Sequence, residues 1–117
     1  MDGDKKLTQL YKALAHPVRL RILDILARQE ACVCHLTAIL RQRQPYVSQH
    51  LAMLRAANLV AERREGTLIY YRLQDEWVAE MLALGKRALQ GEGVFLEFPL
   101  VPEGPVPNCP CPHCQEG

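Results

Sequence analysis

The apolar residues of this chain change their spacing once, near Asn58, and that change limits the folds open to it. Before Asn58 they recur at helical intervals. Leu7, Leu10, Tyr11 and Leu14 fall at i, i+3, i+4 and i+7, which predicts an amphipathic helix over roughly Asp4 to Ala15. Pro17 suits the first position of a second helix, with Val18, Ile22, Ile25 and Leu26 on its buried stripe. Leu36, Ile39 and Leu40 mark a short third helix. Gln42 to Gln44 read as a polar turn, and Pro45 opens a fourth helix that buries Val47, Leu51 and Leu54. Beyond Asn58, a plausible helix stop, Val60 to Arg64 and Leu68 to Leu73 flank Glu65-Gly66 and read as a β-hairpin. Asp75 caps a last helix to about Leu89, with Trp77, Met81, Leu84 and Ala88 along one stripe. The fold class expected is mainly α with a small β-hairpin, α+β.

A chain of 117 residues is one domain, large enough for a core and small enough to gain from dimerisation. Six of its eight prolines lie beyond Gly91, where no helix survives such density. The division expected is a folded domain over residues 1–90 and a Pro-rich arm over 91–117. Within the arm, Val94-Phe95-Leu96-Glu97-Phe98 is apolar enough to dock on the body, and Cys109, Cys111 and Cys114 cluster near the end. The start, Met1-Asp2-Gly3-Asp4-Lys5-Lys6, lacks the apolar stretch of a secretory signal, and no apolar run approaches a membrane span. A cytoplasmic location without a membrane partner is expected. There the odd count of five cysteines points to thiols or metal ligands rather than a disulfide framework.

The total charge of +1 conceals an uneven distribution. Between Arg41 and Arg72 six arginines (Arg41, Arg43, Arg55, Arg63, Arg64 and Arg72) face two glutamates, Glu62 and Glu65. A local basic surface on a near-neutral protein is the footprint of a nucleic-acid partner. It coincides with a helix, a polar turn, a second helix and a hairpin, which is the winged helix-turn-helix arrangement. Such a unit needs a rigid second helix whose first exposed residues reach base edges in the major groove. Here these are Gln44, Tyr46, Ser48, Gln49 and His50; glutamine can pair with adenine through two hydrogen bonds. Arg63 and Arg64 on the wing suit phosphates or the minor groove, positioning more than specifying.

Three segments carry a closer resemblance. Ala13-Leu14-Ala15-His16-Pro17-Val18-Arg19-Leu20-Arg21-Ile22-Leu23, Cys32-Val33-Cys34-His35-Leu36 and Gln44-Pro45-Tyr46-Val47-Ser48-Gln49-His50-Leu51 resemble the second helix, metal-box motif and recognition helix of the ArsR/SmtB repressor family. Arg64-Glu65-Gly66 with Tyr70-Tyr71 resembles its wing, and the likeness runs over about residues 5 to 90. It implies a homodimer built on the first and last helices, and a repressor that binds double-stranded operator DNA with imperfect palindromy and leaves it when a metal ion binds. Within the shared segments, His16 is expected to pack at a helix junction, and His50 to be structural with some DNA contact.

Cys32 and Cys34 set the chemistry. On an ideal helix, side chains at i and i+2 point apart, so one ion can be shared only where the helix start is irregular. A ligand there would lock or distort the first turn of the third helix, which supports the recognition helix. Two thiolates do not complete a site: Zn(II), Cd(II) and Pb(II) take three or four ligands, and trivalent arsenic takes three thiolates. The resemblance adds that arsenite-responsive members often carry a third Cys where Thr37 stands here, whereas cadmium, lead and zinc sensors recruit ligands from a terminal arm. The metal ligands expected are therefore Cys32 and Cys34 with two or more of Cys109, Cys111 and Cys114. Three arm thiols with one helix thiol also suit As(III) or Sb(III). The family's other site, on the last helix, needs histidines; Asp75, Glu76 and Glu80 occur without one.

The inducer expected is thus a thiophilic ion (cadmium, lead, zinc or arsenite), with no organic cofactor. The alternative is a repressor of the same fold that senses oxidants or persulfides through its cysteines. An enzyme with a nucleophilic cysteine is disfavoured, because no Gly-rich phosphate loop and no Cys–His–acid pattern is present.

Overall fold

The computed structural model describes residues 2–92. The expectations for the arm, including Val94 to Phe98 and Cys109, Cys111 and Cys114, lie outside the described residues. The elements run α1 (Gly3–Leu14), α2 (Pro17–Leu26), β1 (Ala31–Cys32), α3 (Val33–Leu40), α4 (Gln44–Ala56), β2 (Val60–Glu65), β3 (Leu68–Leu73) and α5 (Glu76–Gly91). Local chemistry explains each boundary. Asp2 accepts from the Asp4 N–H ahead of α1, and His16 Nδ1 accepts from the Val18 N–H ahead of Pro17 in α2. Arg41 ends α3 in the left-handed region, and Asn58 (φ 59) turns the chain after α4, as expected of it. Gly66 (φ 62) leads the two-residue turn between Glu65 and Leu68, a conformation that suits glycine.

The sheet is antiparallel in the order β1-β3-β2. The hairpin was expected; β1 was not, because two residues are too short to show a period. It pairs Ala31 with Tyr71 and Cys32 with Tyr70, so the residues before α3 are joined to the wing. Gln44 also differs from expectation: α4 begins there, with Arg43 as its extended cap, rather than at Pro45. A proline is tolerated in any position of a first helical turn where its missing N–H has no partner. It therefore marks the turn without fixing the first residue.

Ile22, Leu23, Ile25, Leu36, Val47, Leu51, Leu54, Leu59, Val60 and Val78 form the centre of the core. Burying each such side chain contributes about 1.5–3 kcal/mol. Asp24 is also buried, and Lys86 of α5 and Arg28 neutralise it, Arg28 at 3.7 Å. The buried acid is thus paired, and the pair ties α2 to α5. The stripe expected on α5 proves to be largely its outer face: Trp77, Leu84 and Ala88 are exposed, Met81 is half-buried, and Val78 fills the core. Leu7 and Tyr11 of α1 are exposed as well. The two helices therefore both leave apolar side chains outside the single-chain core. Helix, turn, helix and basic hairpin in this packing make a winged helix-turn-helix, and no helix of the described residues is long and apolar enough to cross a membrane.

Candidate DNA interface and thiol site

Helix α4 is held by its buried stripe, with Val47, Leu51 and Leu54 all at 0% exposure. That anchoring turns Gln44, Tyr46 and Gln49 outward and leaves Ser48 half-buried beside them. No side-chain hydrogen bond or ion pair among the described residues engages Gln44, Ser48 or Gln49. They are placed as the sequence suggested. His50 differs from them. Its ring is buried, its Nδ1 accepts from Arg19 Nε at 3.1 Å, and its Nε2 is buried with no partner among the described residues. Burial, then the nearby His16 and Arg19 charges, lower its pKa. The structural role expected of it is seen in its packing: the ring lies 4.4 Å from that of His16 and meets Tyr46 edge-on at 4.5 Å. His50 therefore packs behind Tyr46 instead of lying on the exposed face of α4. His16 packs at the α1–α2 junction, as expected. With Nδ1 accepting a backbone N–H, the neutral ring carries its proton on Nε2 and has no lone pair there for a metal.

The wing arginines differ from one another. Arg64 is exposed and makes no ion pair among the described residues. Arg63 is engaged by two carboxylates and a ring. Its Nε donates to Glu30 at 3.3 Å and its Nη2 also bonds Glu30. Its Nη1 donates to Glu65 at 3.0 Å, and its guanidinium carbon sits 4.9 Å from the centre of the Tyr70 ring. The hydrogen bonds it donates to Glu30 and Glu65 raise its pKa above the ordinary arginine value. Arg55, further along α4, pairs with Glu62 at 2.9 Å. Two of the six arginines counted as basic surface are thus already paired with carboxylates.

Cys32 and Cys34 flank the start of α3. Cys32 is extended (φ −84, ψ 166), serves as the helix cap and accepts from the His35 N–H at 3.4 Å. Cys34 lies in the first helical turn. The irregular start that a shared ion requires is therefore present. Both thiols border a small apolar cluster with Tyr70, Ala38, Ile39 and Leu68; Cys32 is 2% exposed and Cys34 half-buried. His35 is buried, with the Gln29 amide nitrogen 3.0 Å from its Nε2. Thr37 bonds the Cys34 carbonyl at 2.9 Å. Among the described residues no group of three or more His, Cys, Asp or Glu is positioned to hold a metal. The two thiols fit part of a thiophilic site, in chemistry and in local backbone, and fall short of a full ligand set.

The sequence reading missed Glu30 and Tyr70. Their signal was present but faint: Glu30 directly precedes the Cys-x-Cys segment, and Tyr70 follows the turn at the interval that places it opposite Arg63.

The model of the arsR family of bacterial regulatory proteins matches residues 16–62. A transcriptional repressor SmtB homologue from Synechocystis is 41% identical over 81 residues, covering 69% of this chain and 61% of that protein. The arsenic resistance regulator ArsR1 of Pseudomonas putida is 46% identical over 77 residues, covering 62% and 60% respectively. The match thus spans about three fifths of each of these two relatives. The solution structure of a homodimeric winged helix-turn-helix DNA-binding domain from Mycobacterium bovis, described as a possible ArsR-family regulator, superposes with a TM-score of 0.70 at 33% identity, over 80% of this chain and 89% of that one.

Proposed function

The chain belongs to the ArsR family of bacterial regulatory proteins, and on that premise we propose that it is a DNA-binding transcriptional repressor released by a thiophilic metal or metalloid ion. The observation that carries the reading is the position of Cys32: one residue is at once the cap of α3 and the end of the strand paired to the wing. Helix α3 packs on α4, so a ligand pulling on that cap acts on both DNA-facing elements. The required coupling is about 1–3 kcal/mol and is reciprocal, so operator DNA weakens ion binding by the same factor.

In this reading Gln44, Tyr46, Ser48 and Gln49 meet base edges and backbone, and Arg64 meets phosphate. Cys32 and Cys34 hold the ion together with two or more of Cys109, Cys111 and Cys114, from the same or the partner subunit. The ion supplies charge and a fixed geometry to the thiolates. The exposed apolar residues of α1 and α5 form the homodimer face. The names of the relatives, a SmtB homologue and an arsenic resistance regulator, support an ion as inducer. The folded unit over residues 1–90 and the arm over 91–117 then divide the labour between DNA binding and ligand donation.

The test is operator dissociation, read by fluorescence anisotropy, against As(III), Cd(II), Pb(II), Zn(II) and Cu(I). It is run on the full chain and on a chain cut after Gly93. Release by one or more ions, lost on truncation, is the expected result. Release unchanged by truncation removes the arm cysteines from the site. Resistance to every ion, with release by polysulfide or peroxide, establishes the redox alternative, which the half-buried Cys34 thiol beside Cys32 favours.

A further inference from the structure

Three residues stand in one row across the sheet: Cys32 on β1 opposite Tyr70 on β3, and Tyr70 opposite Arg63 on β2. Directly paired residues share a face, so the row runs from the thiol, through a buried aromatic ring, to a wing guanidinium. Tyr70 is 8% exposed and packs against Cys32, and Arg63 lies over its ring. A second connection closes the loop. Glu30, two residues before Cys32, receives two of the Arg63 nitrogens, and Glu65 receives a third.

Three of the five guanidinium N–H donors are taken by carboxylates, so the two that remain can meet a phosphate only beside two negative charges that already hold the group. Arg64, next to it, faces the other side of the sheet and carries no such bonds among the described residues. The two neighbours therefore have different tasks.

We propose that Arg63, gripped by Glu30 and stacked on Tyr70, is a positioning residue that ties the wing to the Cys32 strand and transmits the state of the thiols, rather than a contact to the DNA backbone. The inference rests on the reading of the thiols as an inducer site. Its physical content is geometric. A bidentate, flat, stacked contact has a defined orientation, so a displacement of Glu30 or Tyr70 moves the wing with it. Lysine keeps the charge but has neither the fork nor the plane.

The experiment measures operator binding by the full-length protein as a function of KCl, without metal and with one equivalent of Cd(II) per subunit. Arg63→Ala, Arg63→Lys, Glu30→Gln and the Glu30→Gln/Arg63→Ala pair are compared with the unsubstituted chain. Sulfur-to-metal absorption confirms that each variant still takes up Cd(II), and circular dichroism that each is folded. In the unsubstituted protein Cd(II) lowers affinity by a factor in the range of about 5–150.

In all four variants that factor falls to within about twofold of unity, and the double variant loses no more than either single one, as expected for one shared contact. The salt slope without metal stays the same in Arg63→Ala, and Arg63→Lys does not restore the Cd(II) response. A drop in slope of about 0.9 in Arg63→Ala, recovered by Arg63→Lys, makes Arg63 a phosphate contact and overturns the proposal. A Cd(II) response retained by Glu30→Gln overturns it as well. An unsubstituted protein indifferent to As(III), Cd(II), Pb(II), Zn(II) and Cu(I) alike sinks the inducer reading and the tie together, a failure visible before any variant is made; where another of these ions releases the operator, it takes the place of Cd(II) in the series.

Discussion

The first turn of α4 and the tip of the wing carry the same kind of sequence signal, polar or basic residues next to a folded support, and they differ in how those residues are used. On α4, three side chains at 0% exposure hold the helix while Gln44 and Gln49 face solvent without a side-chain partner among the described residues. On the wing, Arg63 and Arg64 are adjacent in sequence and opposite in face, and one of them is held by two carboxylates and an aromatic ring. Exposure states where a side chain is; availability to a ligand depends on what already bonds it. A surplus of charge counted along the chain treats the two arginines alike, and only the register of the sheet separates them.

The comparison breaks most visibly at its support. Leu51→Ala, at a site with no exposure, is expected to lower the free energy of unfolding in urea by about 2–5 kcal/mol and to abolish operator binding with it. Met53→Ala, on the same helix and 48% exposed, should shift stability by no more than about 0.5 kcal/mol. Equal effects of the two would mean that α4 is not anchored through its inner stripe.

Differences between α4 and the wing come next. Gln49→Ala is expected to relax base preference at one operator position by about 1–3 kcal/mol, leaving affinity for other sequences nearly unchanged. Arg64→Ala should instead weaken binding to all sequences and reduce the slope of log K against log salt by about 0.9. Binding measured on the operator and on single-base variants over a KCl series separates them. A sequence-specific effect of Arg64→Ala exchanges the roles assigned here. Cys34→Ser should remove the Cd(II)-dependent release, about 1–3 kcal/mol of coupling, and preserve metal-free operator affinity. Loss of both would make Cys34 a packing residue.

What could be read without coordinates follows from the range of the interactions involved. The buried stripe of α4 was legible because three apolar residues on one helix face report their own environment, and Asp75 announced α5 by its capping chemistry. The hairpin was legible from its change of period and from Glu65-Gly66. The β1 strand was not, since two residues have no period and their pairing partner lies nearly forty residues away. The stripe of α5 was legible as an apolar side but not as an outer one, because spacing reveals that a helix has such a side without revealing what covers it. The structural role of His50 was legible but its partner was not, for a similar reason: Arg19 is on another helix. The Glu30–Arg63 bond, which changes the meaning of the wing, joins segments that the sequence keeps apart. Pairwise contacts of this kind are what local pattern cannot carry.

The smallest effect concerns pH, and it sharpens the contrast between helix and wing. Burial, with His16 and Arg19 adding to it, lowers the pKa of His50 from the ordinary value of 6.5. Below that value the unfolded chain takes up a proton that the native protein refuses, so stability falls as the pH drops from about 6.5 towards the folded-state pKa, and is complete above 6.5. The native site resists protonation for a local reason: a proton on Nδ1 would face the Arg19 Nε–H that it now accepts from. Urea unfolding between pH 7.5 and 5 is expected to show a larger decline for the native chain than for His50→Gln, although the variant starts from a lower value because its side chain fits the cavity less well. Equal declines would place the titration elsewhere. Because His50 braces Tyr46 on the exposed face of α4, acid should also erode base preference by way of α4 if that face meets the operator as proposed. The wing, whose two strands contain no histidine, supplies the internal control: the phosphate contribution of Arg64, read from the salt slope, should stay constant over the same interval.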